Sequence, residues 1–130
     1  MADISVNLGD AFLLDTPPNG MHLYIAIAQV SENVYLFVNA TTPRENSEMV
    51  CVLKPGLGMS DFITHESVIV YKYAREISTT ALNDLISKGS CFQKGCFSEG
   101  VLLQIQQGGL TSKRLPNKYK SILKNLFGEI

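Results

Sequence analysis

The chain has 130 residues, of which 45% are hydrophobic and 18% are charged. This composition supplies the core of one domain and excludes intrinsic disorder, which requires low hydrophobicity and a high net charge. Eleven basic and twelve acidic residues give a formal net charge of -1, so the overall charge does not favour a polyanionic partner.

Targeting signals and paired cysteines are not evident in the sequence. Apolar stretches such as 24–28 are far shorter than the ~18 residues of a membrane span, and the first four residues contain no basic region followed by an apolar one. The three cysteines are an odd number, and Cys51 is distant from Cys91 and Cys96. We therefore expect a cytoplasmic protein with free thiols, no membrane partner, no metal and no cofactor.

Up to Ile77 the sequence is typical of short antiparallel strands, with β-branched and aromatic residues between Gly, Pro and Asn clusters. The predicted strands are 11–15, 22–30, 34–39, 49–53 and 67–73. Pro17 and Pro18 indicate a loop between the first two strands. Alternation within the strands predicts a core that consists of Phe12, Leu14, Ile25, Ile27, Leu36, Val38, Val52, Val68 and Val70.

Beyond Ile77 the apolar spacing changes to about 3.6 residues, which is typical of helices. Ser78 or Thr79 is suited to cap a first helix that ends at Gly89. A second helix is predicted from 98–99 to the glycines 108–109, and a third begins near Pro116. The apolar stripe of the third helix is Tyr119, Ile122, Leu123 and Leu126. Residues 91–96 are interpreted as a turn with two semi-buried cysteines.

Together these elements predict one α+β domain over residues 1–130. Residues 1–77 would form a small antiparallel barrel of five to six strands, because strands joined by tight turns favour a barrel over a parallel sheet. Residues 78–130 would add two or three helices after the last strand.

Strong catalytic motifs are missing from the chain. The segment 56–58 lacks the Lys-Ser/Thr of a phosphate loop, and the cysteines near 91–96 have no second ligand pair. What remains is a set of polar residues at predicted strand ends, including His22, Thr41, Thr42, His65 and Ser67. Neighbouring strand ends can converge on one edge of a sheet, where two imidazoles could share a proton-transfer task near pH 7. Alternatively, the histidines are exposed without a shared role and the hydroxyls cap turns.

The order of these features resembles the PemK/MazF toxin family. Gly9-Asp10 precedes an apolar strand, Gly20 follows two prolines, a long strand starts at His22, and a threonine pair follows the third strand. The resemblance extends over residues 9–75, with a further match around 99–107. It implies an SH3-like barrel and a small cytosolic RNA-cleaving toxin that forms a homodimer and is inhibited by an antitoxin protein.

The resemblance also suggests a site. Gly9-Asp10 matches the opening Gly-Asp of the family, the segment from His22 stands where the family has Arg-Pro, and 64–67 lies near its catalytic arginine and acidic residue. The resulting hypothesis is a toxin-like, metal-free endoribonuclease. In it His65 and His22 are the acid–base pair, Glu66 orients one of them, and the phosphate is bound by Thr41, Thr42, Ser67 and Arg75.

Two other functions fit the same residues. One is a non-catalytic SH3-like module that binds protein or RNA, and the other is an immunity or antitoxin-type partner. The C-terminal segment adds a local excess of positive charge, which is either a solvated helix face or a surface that steers RNA. In the second case the phosphate contacts would come from Lys118 and Lys120, with Lys113 and Arg114 beside them.

Overall fold

The protein folds as a curled antiparallel sheet of six strands with three helices, as seen in a computed structural model that describes residues 4–16, 20–56, 58–60 and 62–128. The strands are β1 (Asp10–Asp15), β2 (Met21–Ser31), β3 (Val34–Thr41), β4 (Val52–Leu53), β5 (Ser67–Ser78) and β6 (Cys91–Cys96), in the spatial order β4-β5-β3-β2-β1-β6. The helices are α1 (Thr79–Ser87), α2 (Glu99–Thr111) and α3 (Asn117–Leu126). The predicted α+β class is therefore confirmed, whereas the predicted Pro17-Pro18 loop lies outside the described residues.

The expected order of elements, with helices only after the last strand, is not confirmed. The segment interpreted as a turn around Cys91 is β6, an edge strand that pairs with β1 and lies between α1 and α2. Five of its six residues are exposed, so the sequence has none of the apolar alternation that reveals a half-buried strand.

Two predicted boundaries also shift. β4 has only two residues instead of the predicted 49–53, and β5 continues to Ser78, directly before the start of α1 at Thr79. The predicted cap at Ser78 and the predicted start of the second helix at 98–99 are confirmed, since Ser78 and Ser98 each accept a backbone hydrogen bond at a helix start. Gly89 follows the end of α1 with a φ of 75°, which is the left-handed conformation that glycine adopts without strain.

Helices cover both faces of the sheet, and a separate hydrophobic cluster lies on each face. On one face α2 and α3 pack on a cluster that includes Ile25, Ile27, Leu36 and Val38. On the other face α1 packs on a smaller cluster that includes Phe12 and Leu14. The predicted core was thus drawn from both faces of one sheet. Of that set, Val52 and Val70 are only half-buried because they lie towards the end of the second face that α1 does not cover.

α2 is attached to the sheet by two buried polar contacts. The hydroxyl of Tyr71, which is fully buried, donates to the carbonyl of Ile105 at 2.6 Å. The amide of Gln106 donates to the carbonyl of Ile27 at 2.8 Å, next to a bulge that interrupts the pairing of β2 with β3. The first contact gives the buried Tyr71 hydroxyl a partner, and the second gives one to a carbonyl beside the interrupted pairing of β2 with β3.

The predicted end of α2 at Gly108 and Gly109 is wrong, since the helix continues through both to Thr111. These glycines are needed for close packing instead. A side-chain carbon at Gly108 would collide with the Tyr71 hydroxyl, and one at Gly109 would lie 2.7 Å from a methyl group of Leu123.

Among the described residues, no helix has the length and apolar character needed to cross a membrane.

We predict that Gly108→Ala lowers the free energy of unfolding by about 1 to 3 kcal/mol, the usual cost of overpacking a core. Gly100→Ala in the same helix is the matched control, because its added carbon meets no atom within 4 Å. The control should be unchanged or up to about 1 kcal/mol more stable, owing to the higher helix propensity of alanine. Urea unfolding of the variants measures both effects, and equal stability of the two would contradict the packing assignment.

A second prediction concerns the thiols. Cys51 and Cys91 are buried, and burial raises the pKa of each thiol to about 11, whereas Cys96 is exposed. Because the thiolate is the reactive form, one thiol per chain should react rapidly with a disulfide reagent in the native protein and all three should react after unfolding. Cys96→Ser should remove the rapid phase; a rapid phase that persists in this variant would show that a buried thiol is accessible.

Candidate functional site

The ends of three central strands meet at one edge of the sheet. Leu23, near the start of β2, pairs with Ala40 near the end of β3, and Thr41 pairs with Val68 near the start of β5. This antiparallel register brings the polar residues at those strand ends together although they are far apart in sequence.

A cavity of about 210 Å³ lies at this edge, and we call it the histidine cavity. Five of the residues that the sequence analysis selected line it: His22, Thr41, Thr42, His65 and Ser67. Its apolar wall includes Phe62 and Ile63 from the loop before β5. Two imidazoles and three hydroxyl groups therefore face one small volume.

The imidazole of His22 is hydrogen-bonded to the hydroxyl of Thr16, the residue that directly follows β1. Thr16 Oγ1 lies 2.8 Å from His22 Nδ1 and donates its own hydrogen to the carbonyl of Gly20 at 3.0 Å. The carbonyl of Gly20 also accepts from the backbone N–H of Thr16 at 2.8 Å, so the hydroxyl can donate to either neighbour; when it donates to Gly20, it accepts from Nδ1–H of His22. That tautomer leaves Nε2 of the neutral ring with a free lone pair, as a general base requires.

His65 is held by hydroxyls on both sides of its ring. Nε2 lies 2.9 Å from Thr42 Oγ1, and Nδ1 lies 3.4 Å from Thr64 Oγ1. Ser67 Oγ donates to the backbone carbonyl of His65 at 3.2 Å and fixes the backbone beside the ring. Since hydroxyls both donate and accept, these partners suit the neutral and the charged imidazole. His65 can therefore change its protonation state without losing either partner.

The other predicted site residues do not line the histidine cavity. Glu66 is exposed, and in the described part of the chain hydroxyl groups rather than its carboxylate bond the two histidines. Arg75 lies farther along β5, with its guanidinium 5.9 Å from the ring centroid of Tyr24.

Lys118 and Lys120 lie on α3, which packs on the opposite end of the sheet. The ammonium of Lys118 is 3.7 Å from a carboxylate oxygen of Glu76, a surface ion pair. Glu76 pairs with Leu36 and Val68 pairs with Thr41, so five residues of β3, roughly 17 Å at the usual rise of a strand, separate the two ends. These lysines are therefore remote from the histidines.

Sequence reasoning missed Thr16 and assigned no role to Thr64, although these hydroxyls orient the two imidazoles. The signal for Thr16 lies in the register of the β1–β2 hairpin, where Asp15 pairs with Met21 and the backbone N–H of Thr16 donates to Gly20. The five-residue connection 16–20 does not specify that register from sequence.

Metal-ligand clusters are not found near this cavity. Among the residues that the structure describes, no group of three or more His, Cys, Asp or Glu side chains is placed to hold a metal ion. The imidazoles of the histidine cavity can transfer protons, and its hydroxyls can form hydrogen bonds.

Comparison with known proteins adds no family to this description, since no protein-family model and no curated protein matches the sequence.

Proposed function

We propose that the protein is a toxin-like endoribonuclease that cleaves RNA without a metal ion, a divergent relative of the PemK/MazF toxins with an SH3-like barrel. The observation that carries this proposal is the convergence of His22, His65 and three hydroxyl side chains on one cavity. By the same resemblance, we propose a cytoplasmic homodimer that an antitoxin protein inhibits.

The reaction uses the 2′-hydroxyl of the RNA as the nucleophile. Nε2 of neutral His22 takes the 2′-hydroxyl proton while the oxygen attacks phosphorus, and charged His65 gives a proton to the departing 5′-oxygen. The products are a 2′,3′-cyclic phosphate and a free 5′-hydroxyl, so no water is consumed in this step. The hydroxyls of Thr41 and Thr42 donate to the phosphate oxygens as negative charge develops there, and Ser67 joins them once its hydrogen leaves the His65 carbonyl.

The hydrogen bonds of the histidines support these two roles. With the Thr16 hydroxyl as acceptor, His22 exposes a basic Nε2, and the hydroxyl partners of His65 can accept from its charged form. The orienting role that the sequence analysis gave to Glu66 is fulfilled by Thr16, Thr42 and Thr64.

We predict that His65→Ala and His22→Ala each lower the rate of RNA cleavage by roughly 100- to 10,000-fold, the usual contribution of a general acid or base. Binding of RNA should change only a few-fold, and expression of either variant should no longer arrest cell growth. Glu66→Gln is the matched control beside His65 and should retain cleavage. A chelator should have no effect, and a substrate with a 2′-deoxy group at the scissile position should remain intact.

Cleavage that survives both histidine substitutions would contradict the assignment of the site. Folded wild-type protein that binds RNA or a protein without cleaving RNA would instead identify the non-catalytic module, and neutralisation of another toxin on co-expression would identify an immunity-type partner. Gel analysis of 5′-labelled RNA resolves the cyclic phosphate ends, and the histidine variants purified in parallel distinguish the proposed reaction from that of a contaminating nuclease.

A further inference from the structure

The edge strand β6 has backbone groups on its free side that are available for pairing. In the described part of the chain, β1 is the one strand that pairs with it. The carbonyl of Ser90 accepts from the backbone N–H of Asp15 at 3.0 Å, so the backbone of Ser90 faces β1. Because this direction alternates along an antiparallel strand, the N–H and C=O groups of Cys91 and Gln93 face away from β1. Such groups are a template for pairing with another strand.

Large apolar side chains border this edge on both faces of the sheet. Phe92 lies between the two outward-facing residues and is 46% exposed. It pairs with Leu13, which pairs in turn with the buried Leu23, so its ring lies on the face that α2 and α3 cover. On the other face α1 packs beside β6, and its Ile86 is also exposed. Pairing of β6 with a further strand would therefore bury apolar surface as well as backbone groups.

The free stretch of β6 is short and carries little protection against pairing. Natural edge strands are commonly protected by charged side chains or proline. β6 carries one charge, Lys94, whose ammonium lies 5.9 Å from the centroid of the Phe92 ring and so on the same face. The carbonyl of Lys94 accepts from Ser60 Oγ at 2.6 Å, and Gly95 follows with a φ of 80° where the register with β1 shifts. Residues 91–93 therefore remain available.

We propose that two copies of the chain form a homodimer by antiparallel pairing of their β6 strands, with Phe92 on the two-fold axis. In this register Cys91 of each copy pairs with Gln93 of the other, and each of these two pairs exchanges two backbone hydrogen bonds. The two Phe92 rings lie directly opposite each other, in the closely spaced position where aromatic pairs stabilise a sheet. The inference goes beyond the proposed function, which includes a homodimer but names no surface, and it does not depend on RNA cleavage.

The charges around the edge favour a second copy as the occupant. In the proposed register Lys94 is opposite Ser90 of the second copy, and the next residue across that sheet is the exposed Asp15. Two strand spacings, roughly 10 Å, separate the Cα atoms of Lys94 and this Asp15, which a long lysine side chain on the same face largely bridges. The two-fold axis produces this attraction twice and places no like charges opposite each other. The net charge of -1 per chain adds little repulsion.

Light scattering coupled to size-exclusion chromatography measures the state of the wild type. We expect a mass twice the 14.3 kDa of one chain, with a dissociation constant of roughly 1 to 100 μM, because a ladder of two residue pairs makes a small interface. A monomer at roughly 1 mM would overturn the inference and would leave this edge to a strand from a different protein.

Phe92→Glu and Phe92→Lys test the position of the axis. Each variant alone places two like charges directly opposite each other and should weaken the dimer roughly 10- to 100-fold. An equimolar mixture of the two should recover the dimer, because opposite charges then meet at the axis. The replaced side chain is exposed, so both variants should fold, which circular dichroism checks. Tyr73→Glu is the matched control: it replaces an aromatic side chain of 63% exposure on β5 and should remain dimeric.

A disulfide tests the register directly. Residues opposite each other at a non-hydrogen-bonded position have Cα atoms roughly 4.5 Å apart, which a disulfide can bridge. Phe92→Cys in the Cys96→Ser background should therefore form a covalent dimer on mild oxidation, since the two remaining native thiols are buried. Lys94→Cys in the same background is the matched control and should stay monomeric on a non-reducing gel, because Ser90 lies opposite it. Faster cross-linking at 94 than at 92 would overturn the register.

The dimer and the proposed reaction can fail separately. If the wild type dimerises, the two Phe92 variants behave as expected and RNA is never cleaved, the inference stands and the proposed ribonuclease fails. If the wild type cleaves RNA as a monomer, or if its dimer persists unweakened in Phe92→Glu, the inference fails and the proposed ribonuclease stands. RNA cleavage by Phe92→Glu, which retains both histidines, measures the reaction without the β6 pairing.

Discussion

The arrangement of the site depends on the pairing of β3 with both β2 and β5. These two long antiparallel ladders place the start of β2, the end of β3 and the start of β5 at one edge of the sheet. A slip of one residue in either ladder would turn the side chains of a whole strand to the opposite face. It would separate His22 from Thr41 and would also expose the apolar residues of β2, so the core and the site depend on the same register.

The unequal covering of the two sheet faces leaves a groove open beside the histidine cavity. α2 and α3 both lie on one face, where Gly108 allows α2 to approach Tyr71 closely and Gln106 satisfies the backbone at the bulge of β2. The other face is covered by α1 and the N-terminal segment at one end only. At the uncovered end, the groove is lined by Asn39 from β3 and by Val70 and Tyr73 from β5. A second helix packed on this end would have required apolar residues at these positions.

Sequence patterns predicted the elements that have one apolar and one polar side, together with the caps Ser78 and Ser98. They did not predict β6, whose side chains are nearly all exposed, or the course of α2 through Gly108, where the requirement comes from Tyr71 on another element. For the site, the positions of His22 and His65 at strand ends were sufficient to select them. The hydroxyl of Thr16 could not be selected because its contact depends on hairpin register, and Lys118 appeared relevant only because sequence does not show on which end of the sheet α3 packs.

Two unlike polar groups lie side by side at the uncovered end of this sheet face. His65 is exposed, and the hydroxyls of Thr42 and Thr64 lie beside its ring nitrogens. Asn39 is buried, and its amide oxygen has no hydrogen-bond partner among the described residues, which costs stability. The first arrangement suits the proton transfer proposed for His65, because a hydroxyl partner can both donate and accept. The second lowers the stability of the fold next to the site, since Thr41 borders both groups.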